Sequence, residues 1–468
     1  MSRINCTTVR LGLRAALLVA PLGLIMLLPV TAWAGGHVVN VPPPNGVNDT
    51  SNLQAALDTC VAYGKNCTVQ LDAGNYLTSQ LVAYNLHGTF KGKGKDKTMV
   101  EALPGLEVTA FPEQSATVCK PNTTDCSWPT LIMFVDGDIQ VSDLAINVPG
   151  VPATQPYFLF GTWKLTALLD AVRVMGQYRT NASVERVAIS GAHDDSDTAF
   201  AGYNLINGIP FLGELPRSQT YFDYYFLSGT FSVSSSSFNT MASGTGAASF
   251  FKDSRVTIGG SPAAGNVFED VLIGVDLESV ESSVVEVSHN KAAGTWASAW
   301  VIPWCCNLPT KPSLFLIHDN TFKPTGPYAD GIFLQDDPAN KWIYALISNN
   351  TVEAQDIGNG GIRAYSTKGT TIVNNKISGN GADGIAILNG TYAALLGNDV
   401  RSFTASPGLA QIVLDGTTTH STVVCKTSND TAMNLGTDNK LIGCQQLGSS
   451  ANPSQLSSRP VLKKPLGR

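Results

Sequence analysis

Three short stretches decide the fold: Asp330-Gly331-Ile332-Phe333-Leu334, Gly360-Gly361-Ile362-Arg363-Ala364 and Asp383-Gly384-Ile385-Ala386-Ile387. Each opens on a turn residue and a glycine and runs on as an alternating apolar strand, and the glycines Gly331, Gly361 and Gly384 are 30 and 23 residues apart. A second series trails the first: Asn320-Thr321-Phe322, Asn350-Thr351-Val352, Asn375-Lys376-Ile377 and Asn398-Asp399-Val400, with steps of 30, 25 and 23 residues. A period in the twenties that carries strands and no helical stripe implies solenoid coils, each burying its apolar face against its neighbours. Asparagine recurring at one turn tolerates left-handed backbone and hydrogen-bonds from coil to coil, so the series is expected as a structural ladder and not as a glycan or metal signal.

Stacking these strands places matching residues about 4.8 Å apart along the axis. Alternation then sends Ile332, Leu334, Ile362, Ala364, Ile385 and Ile387 inward. Phe333, Arg363 and Ala386 are left in one outward column, with Gln335, Tyr365 and Leu388 in the next. Further back, Gly274-Val275-Asp276-Leu277-Glu278 fits the same frame and is expected to expose Asp276 and Glu278.

The coils need closed ends, because open edge strands recruit other chains. After the extended lead-in Val41-Pro42-Pro43-Pro44, the stretch Asn48-Asp49-Thr50-Ser51 offers helix N-caps. Leu53, Ala56, Leu57, Cys60 and Val61 then form one apolar helical stripe, and Gly64 is placed to stop it. This helix is expected to cap the solenoid, ahead of a strand from Thr68 to Leu71 and a turn at Asp72-Ala73-Gly74-Asn75. Between Pro149 and Gln177 the pattern lapses into Pro, aromatic and Leu-rich sequence, expected as a loop excursion. Residues 446–468 mix Ser, Pro and basic residues and are expected as a disordered tail.

The first 34 residues have the form of a removable signal peptide: Arg3, Arg10 and Arg14, an apolar run from Ala15 to Val30, and the small-x-small site Ala32-Trp33-Ala34. Pro21 and Pro29 interrupt the run, which falls short of the roughly 20 residues that span a bilayer. The expectation is an exported chain, periplasmic, cell-surface or extracellular, with residues 35–445 as one solenoid domain and 35–76 as its cap and first coil. The formal charge of −6 becomes −9 once the three arginines of the leader are gone, which argues against nucleic acid or anionic membrane as partner. Charged residues are 14% of the chain against about 25% in ordinary domains, a composition suited to short strands and tight turns. Loss of Cys6 leaves eight cysteines, whose spacing predicts local staples Cys60–Cys67, Cys119–Cys126 and Cys425–Cys444; adjacent Cys305 and Cys306 form either a vicinal bridge or none.

These residues resemble the pectate-lyase-like right-handed β-helix superfamily. Asn52-Leu53-Gln54-Ala55-Ala56-Leu57-Asp58 followed by Val69-Gln70-Leu71-Asp72-Ala73-Gly74-Asn75-Tyr76 is similar to its capping helix and first strand. Gly88-Thr89-Phe90-Lys91-Gly92-Lys93-Gly94 is similar to the glycine-rich turn that follows, and the stretch from Phe268 to Val400 to its generic coils. The resemblance implies an all-β fold, a single-stranded right-handed parallel β-helix with an N-terminal capping α-helix. It also implies lyases, hydrolases or epimerases of acidic polysaccharides among the relatives, beside tailspikes, adhesins and envelope proteins. The hydrolase set Asn-Thr-Asp, Asp-Asp, Gly-His-Gly and Arg-Ile-Lys is not present in order, nor is the epimerase Asp-Pro-His-Asp, so fold and reaction separate here.

Two constellations carry candidate chemistry. His193-Asp194-Asp195-Ser196-Asp197 packs three carboxylates into four positions, which repel unless a cation or solvent relieves them. Asp194, Asp195 and Asp197 are therefore candidate Ca²⁺ ligands and His193 a candidate catalytic residue, against the plainer reading of a solvated loop. The outward face offers Phe333, Gln335, Tyr365, Asp276 and Glu278 as candidate contacts to a sugar chain, Arg363 as a bidentate grip on a uronate carboxylate, and Asp336 or Asp337 for a cation or proton. In β-elimination the base is Arg363 or Lys368. The function expected is action on a polysaccharide as lyase, glycoside hydrolase or epimerase, or alternatively non-catalytic glycan binding at the cell envelope. Trp296, Trp300 and Trp304 form either a sugar platform or a packed loop.

Overall fold

Aliphatic residues at every second position give each strand one dry face, and successive coils lay these faces over one another. The computed structural model describes residues 36–104, 115–116, 127–128, 130–148, 158–160, 163–175, 179–193, 199–205, 228–245, 251–278, 280–303, 310–326, 329–339, 343–355 and 357–447. One coil is built from strands Ser313–His318, Thr321–Pro324 and Asp330–Gln335. The next repeats them as Ile343–Ser348, Thr351–Ala354 and Gly360–Tyr365, and the next as Thr371–Val373, Lys376–Gly381 and Asp383–Leu388. Each strand pairs in parallel with its counterpart one coil on, so Ile332 lies opposite Ile362, and Ile362 opposite Ile385. The result is three parallel sheets around a continuous core in which Ile332, Leu334, Ile362, Ala364, Ile385 and Ile387 are fully buried, as their alternation predicts.

The glycine of the repeat has a steric cause. A Cβ on Gly331 would meet the carbonyl oxygen of Gly361 at 2.5 Å, and one on Gly361 would meet that of Gly384 at 2.7 Å. The corner leaves room for backbone alone.

The asparagine ladder is present and longer than the repeats reveal, running through Asn266, Asn290, Asn320, Asn350, Asn375 and Asn398. From Asn290 on, each Oδ1 accepts both the backbone N–H and the Nδ2 of the asparagine one coil earlier; for Asn320 and Asn350 these are 3.1 and 2.9 Å. One detail differs from expectation. The left-handed residue is the one before five of the six ladder asparagines, at His289, Asp319, Asn349, Asn374 and Gly397, with φ between 55° and 61° for the four non-glycines. The bend must come first so that the amide following it turns inward, where the rung above needs it. A second corner repeats the device with hydroxyls, Ser254 N–H donating to Ser283 Oγ at 3.0 Å and Ser283 N–H to Ser313 Oγ at 3.2 Å.

The predicted cap is the helix Thr50–Tyr63, which buries Leu53, Ala56, Leu57 and Cys60 and stops at Gly64, φ 85°. Asp49 at its start does not cap it with its side chain; the carboxylate instead accepts the N–H groups of Asn45 and Leu77, tying the helix to the strand Gly74–Thr78. The Cys60–Cys67 and Cys425–Cys444 staples are formed. Cys119, Cys126, Cys305, Cys306, residues 1–35 and residues 448–468 lie outside the described residues.

The expected excursion between 149 and 177 is shorter than its composition implies. Strand Trp163–Met175 rejoins the stack, pairing in parallel with Thr130–Asn147 through Asp170 to Met175, with Val172 and Val174 buried. Only its start departs, as an antiparallel pair with Phe158–Phe160. Among the described residues no helix is long and apolar enough to cross a membrane.

Candidate functional site

Parallel pairing turns the third sheet's outer face into columns. Asp276, Trp300, Phe333, Arg363, Ala386, Val413 and Met433 follow one another in register. The predicted succession of Phe333, Arg363 and Ala386 is therefore present, and so is that of Gln335, Tyr365 and Leu388. Aromatic rings cluster at one end, Trp300 on Phe333 at 4.3 Å between centroids and 19° between planes, with Trp296 4.9 Å from Trp300.

The expected exposure of this face is corrected. Arg363 is 6% exposed, Asp276 5% and Gln335 4%, while Phe333 and Tyr365 are half-buried. Outward direction on a strand is not by itself access to water. Ala386, Leu388, Val413 and Met433 form a second apolar cluster outside the coil with Ala410, and Tyr365, Leu435 and Leu447 pack against it. Trp300 is likewise buried, so the tryptophans belong to the packed wall; Trp304 lies outside the described residues.

What burial gathers around Arg363 is a carboxylate cluster. Asp330 begins the strand one coil before and Asp383 the strand one coil after, both buried at the corner where Gly360 begins the Arg363 strand. Asp330 Oδ1 lies 3.8 Å from Arg363 Nη1, and its carboxylate accepts the Gly360 N–H at 3.2 Å and Asn359 Nδ2 at 3.0 Å. A Cβ on Gly360 would meet Asp383 Oδ1 at 2.3 Å and Arg363 Cγ at 2.7 Å, so the glycine makes the space that the cluster fills. Burial pushes the Asp330 carboxyl up to about 6; the Arg363 charge and the two donors oppose the rise and Asp383 adds to it. Arg363 Nε is buried without a hydrogen-bond partner among the described residues. The arrangement holds a cation beside an acid whose pKa burial raises to about 6, one rung from the half-buried Phe333.

The other candidates separate from this group. Asp336 is fully buried and accepts the N–H groups of Asp337 and Ile343, which closes the turn after the strand; Asp337 accepts the N–H of Ala339 at 3.2 Å. Both carboxylates hold backbone. Lys368 is exposed beyond the corner at Ser366, φ 57°, where its backbone bridges to Thr391, outside the Arg363 column. Glu278 pairs with Ile302 in the register, but its side chain lies outside the described set. His193 ends the short strand Ala192–His193, its side chain outside that set together with Asp194, Asp195 and Asp197. Among the described residues no three His, Cys, Asp or Glu side chains are grouped to hold a metal.

Sequence reasoning passed over Asp330 and Asp383 as turn residues. The available signal was an acid before glycine at the same repeat position in two coils flanking the Arg363 strand. It also missed a cavity of about 450 Å³ on the serine-ladder corner, lined by Arg179, Arg255, Asp253, Ser228 and Thr230.

The sequence profile of the right handed beta helix region matches residues 310–455. No curated protein matches the sequence. Among solved structures, the A-module of a mannuronan C-5 epimerase from Azotobacter vinelandii is similar at 14% identity over 87% of this chain and 96% of that one, TM-score 0.43. Polygalacturonase from Erwinia carotovora ssp. carotovora is similar at 12% identity over 89% and 96%, TM-score 0.35. A tailspike protein of an E. coli bacteriophage is similar at 10% identity over 86% and 76%, TM-score 0.42. The profile match falls on the coils whose strands stack in parallel register with buried asparagine rungs, and the fold is that of a right-handed parallel β-helix.

Proposed function

We propose that this is an exported carbohydrate-active protein that acts on a uronate-bearing polysaccharide at the Arg363 face. The observation that carries the reading is a buried arginine with an unfilled Nε donor beside Asp330, an acid raised to about 6. A guanidinium so placed suits a sugar carboxylate, Phe333 and Tyr365 supply faces for pyranose stacking, and an acid near neutrality exchanges a proton with a sugar carbon or a glycosidic oxygen. With Arg363 holding the uronate carboxylate, charge that develops on it when the neighbouring C–H proton leaves is stabilised. Loss of the glycosidic oxygen then gives a lyase, return of the proton to the opposite face an epimerase. Protonation of the glycosidic oxygen ahead of water gives a hydrolase. The disulfides Cys60–Cys67 and Cys425–Cys444 support an oxidising compartment.

The burial of Asp330, Arg363 and Asp383 favours a second reading, in which the cluster braces the wall of a non-catalytic, adhesin-like glycan-binding protein of the envelope. Incubation of the purified protein with uronate and neutral glycans, with Ca²⁺ and with EDTA, separates the two. Unsaturated ends, new reducing ends or C5 inversion that disappear in Arg363→Lys, while fold is retained, are expected. Binding without turnover supports the second reading, and indifference to the whole panel refutes both.

A further inference from the structure

The sheet that carries Val284–Ser288, Ser313–His318, Ile343–Ser348, Thr371–Val373, Ala394–Leu396, Thr422–Val424 and Lys440–Ile442 has an outer face of unusual chemistry. A strand face turned to water is ordinarily polar. Here Val284, Leu314, Tyr344, Leu346, Leu396 and Ile442 all point outward and are 37–51% exposed, and they make up half of the twelve large apolar residues exposed among those described. Seven rungs at about 4.8 Å and three outward columns about 7 Å apart give the whole face, apolar and polar positions together, roughly 30 Å by 20 Å, or about 600 Å². That approaches the ~800 Å² each partner contributes to a standard interface and exceeds scattered surface hydrophobes.

The central column names the occupant. It runs Glu286, Leu316, Leu346, Thr371, Ala394, Thr422, Lys440, each opposite the next in the register. Its charged residues stand at its two ends and have opposite signs. A two-fold axis lying in the face and crossing the solenoid at Thr371 reverses the column. Glu286 then meets Lys440 of a second copy, Leu316 meets Thr422, and Leu346 meets Ala394, large against small, with every contact made twice. Glu286 is already oriented by Ser288 Oγ at 3.0 Å and His318 Nε2 at 3.4 Å. An anionic membrane needs a basic excess that a chain of formal charge −6 does not offer.

We propose that the protein pairs with a second copy of itself, antiparallel, through this face. The inference stands independently of the Arg363 site. Sedimentation equilibrium of the purified protein from about 1 to 100 μM is expected to show a dimer. Glu286→Lys and Lys440→Glu, singly, each bring like charges together twice and are expected to weaken it at least tenfold, about 1.4 kcal/mol; the double reversal is expected to restore it. Leu346→Lys is expected to give a monomer with unchanged far-UV circular dichroism. Lys440 is exposed at the strand start, so its variant stays informative if Glu286→Lys fails to fold. A monomeric wild type at the highest concentration overturns the proposal. So does a dimer indifferent to these changes, or a double reversal that fails to rescue.

Discussion

Replacing Arg363 by Met keeps a long apolar stem in the wall and removes the one charge facing Asp330 at 3.8 Å. The Asp330 carboxyl, already raised by burial to about 6, loses its strongest opposing influence. An opposite charge at such range ordinarily lowers a carboxyl pKa by about 1–3 units, so its removal lifts Asp330 by roughly one to two units more. A carboxyl raised on folding contributes stability that is present below the unfolded pKa and lost as pH rises through the folded one. In the wild type that loss is complete shortly above 6; in the variant it continues to roughly 7–8. At one unit per about 1.4 kcal/mol, Arg363→Met is expected to cost about 1.5–3 kcal/mol more at pH 8 than at pH 5, where Asp330 is protonated in both proteins. Urea unfolding followed by tryptophan fluorescence at the two pH values measures the difference. Adding Asp330→Asn removes the titrating group and is expected to erase it. A deficit of equal size at pH 5 and 8, or one that survives Asp330→Asn, refutes the assignment of the raised acid to Asp330.

Asn350→Ala removes the two bonds from Nδ2 to Ile317 O and Asn375 Oδ1, together with the acceptor used by Asn320 N–H and Asn320 Nδ2. At about 1–3 kcal/mol for each buried group left unsatisfied, the loss is expected to be roughly 3–5 kcal/mol in urea unfolding, with hydrogen exchange accelerated in the neighbouring rungs. Gly360→Ala sets a methyl against Asp383 Oδ1 and Arg363 Cγ, and overpacking of this kind is expected to cost about 1–3 kcal/mol by thermal unfolding and to displace the cluster. Under the proposed function it also abolishes glycan turnover in protein that remains folded.

Much of the fold was legible because a solenoid repeats one local decision. Alternation fixes which of Ile332 and Phe333 faces the core, and a glycine such as Gly331 marks where the next coil's backbone passes too close for a side chain. Register followed from aligning repeats, which is why the Phe333, Arg363, Ala386 column was foreseeable. Exposure was not. Whether an outward residue meets water depends on packing outside the coil, and residues such as Ala410 and Leu447, which pack on the neighbouring Ala386 and Leu388 cluster, lie far from Arg363 in sequence. Strand Trp163–Met175 was hidden for a related reason: its alternating Val172 and Val174 sit inside a Leu- and aromatic-rich stretch that composition assigns to a loop. The left-handed corner residues escaped because Asp319 and Asn349 adjoin ladder asparagines of similar chemistry.

The site has the same origin as the core. In a parallel stack, residues that meet in space are separated by a coil in sequence, so chemistry is organised across rungs. Asp330, Gly360, Arg363 and Asp383 belong to three consecutive coils, and no two of the charged ones are sequence neighbours. A search along the chain instead selects runs such as Asp336-Asp337, whose carboxylates are engaged by the backbone of their own turn. The column that stacks Trp300 on Phe333 and sets Arg363 beside it becomes wholly apolar from the next rung on, at Ala386, Val413 and Met433. One corner glycine, one buried acid on either side and one arginine are therefore enough to turn a few rungs of a uniform wall into a titratable site. The scaffold leaves such a site free to shift along the axis without altering the coil.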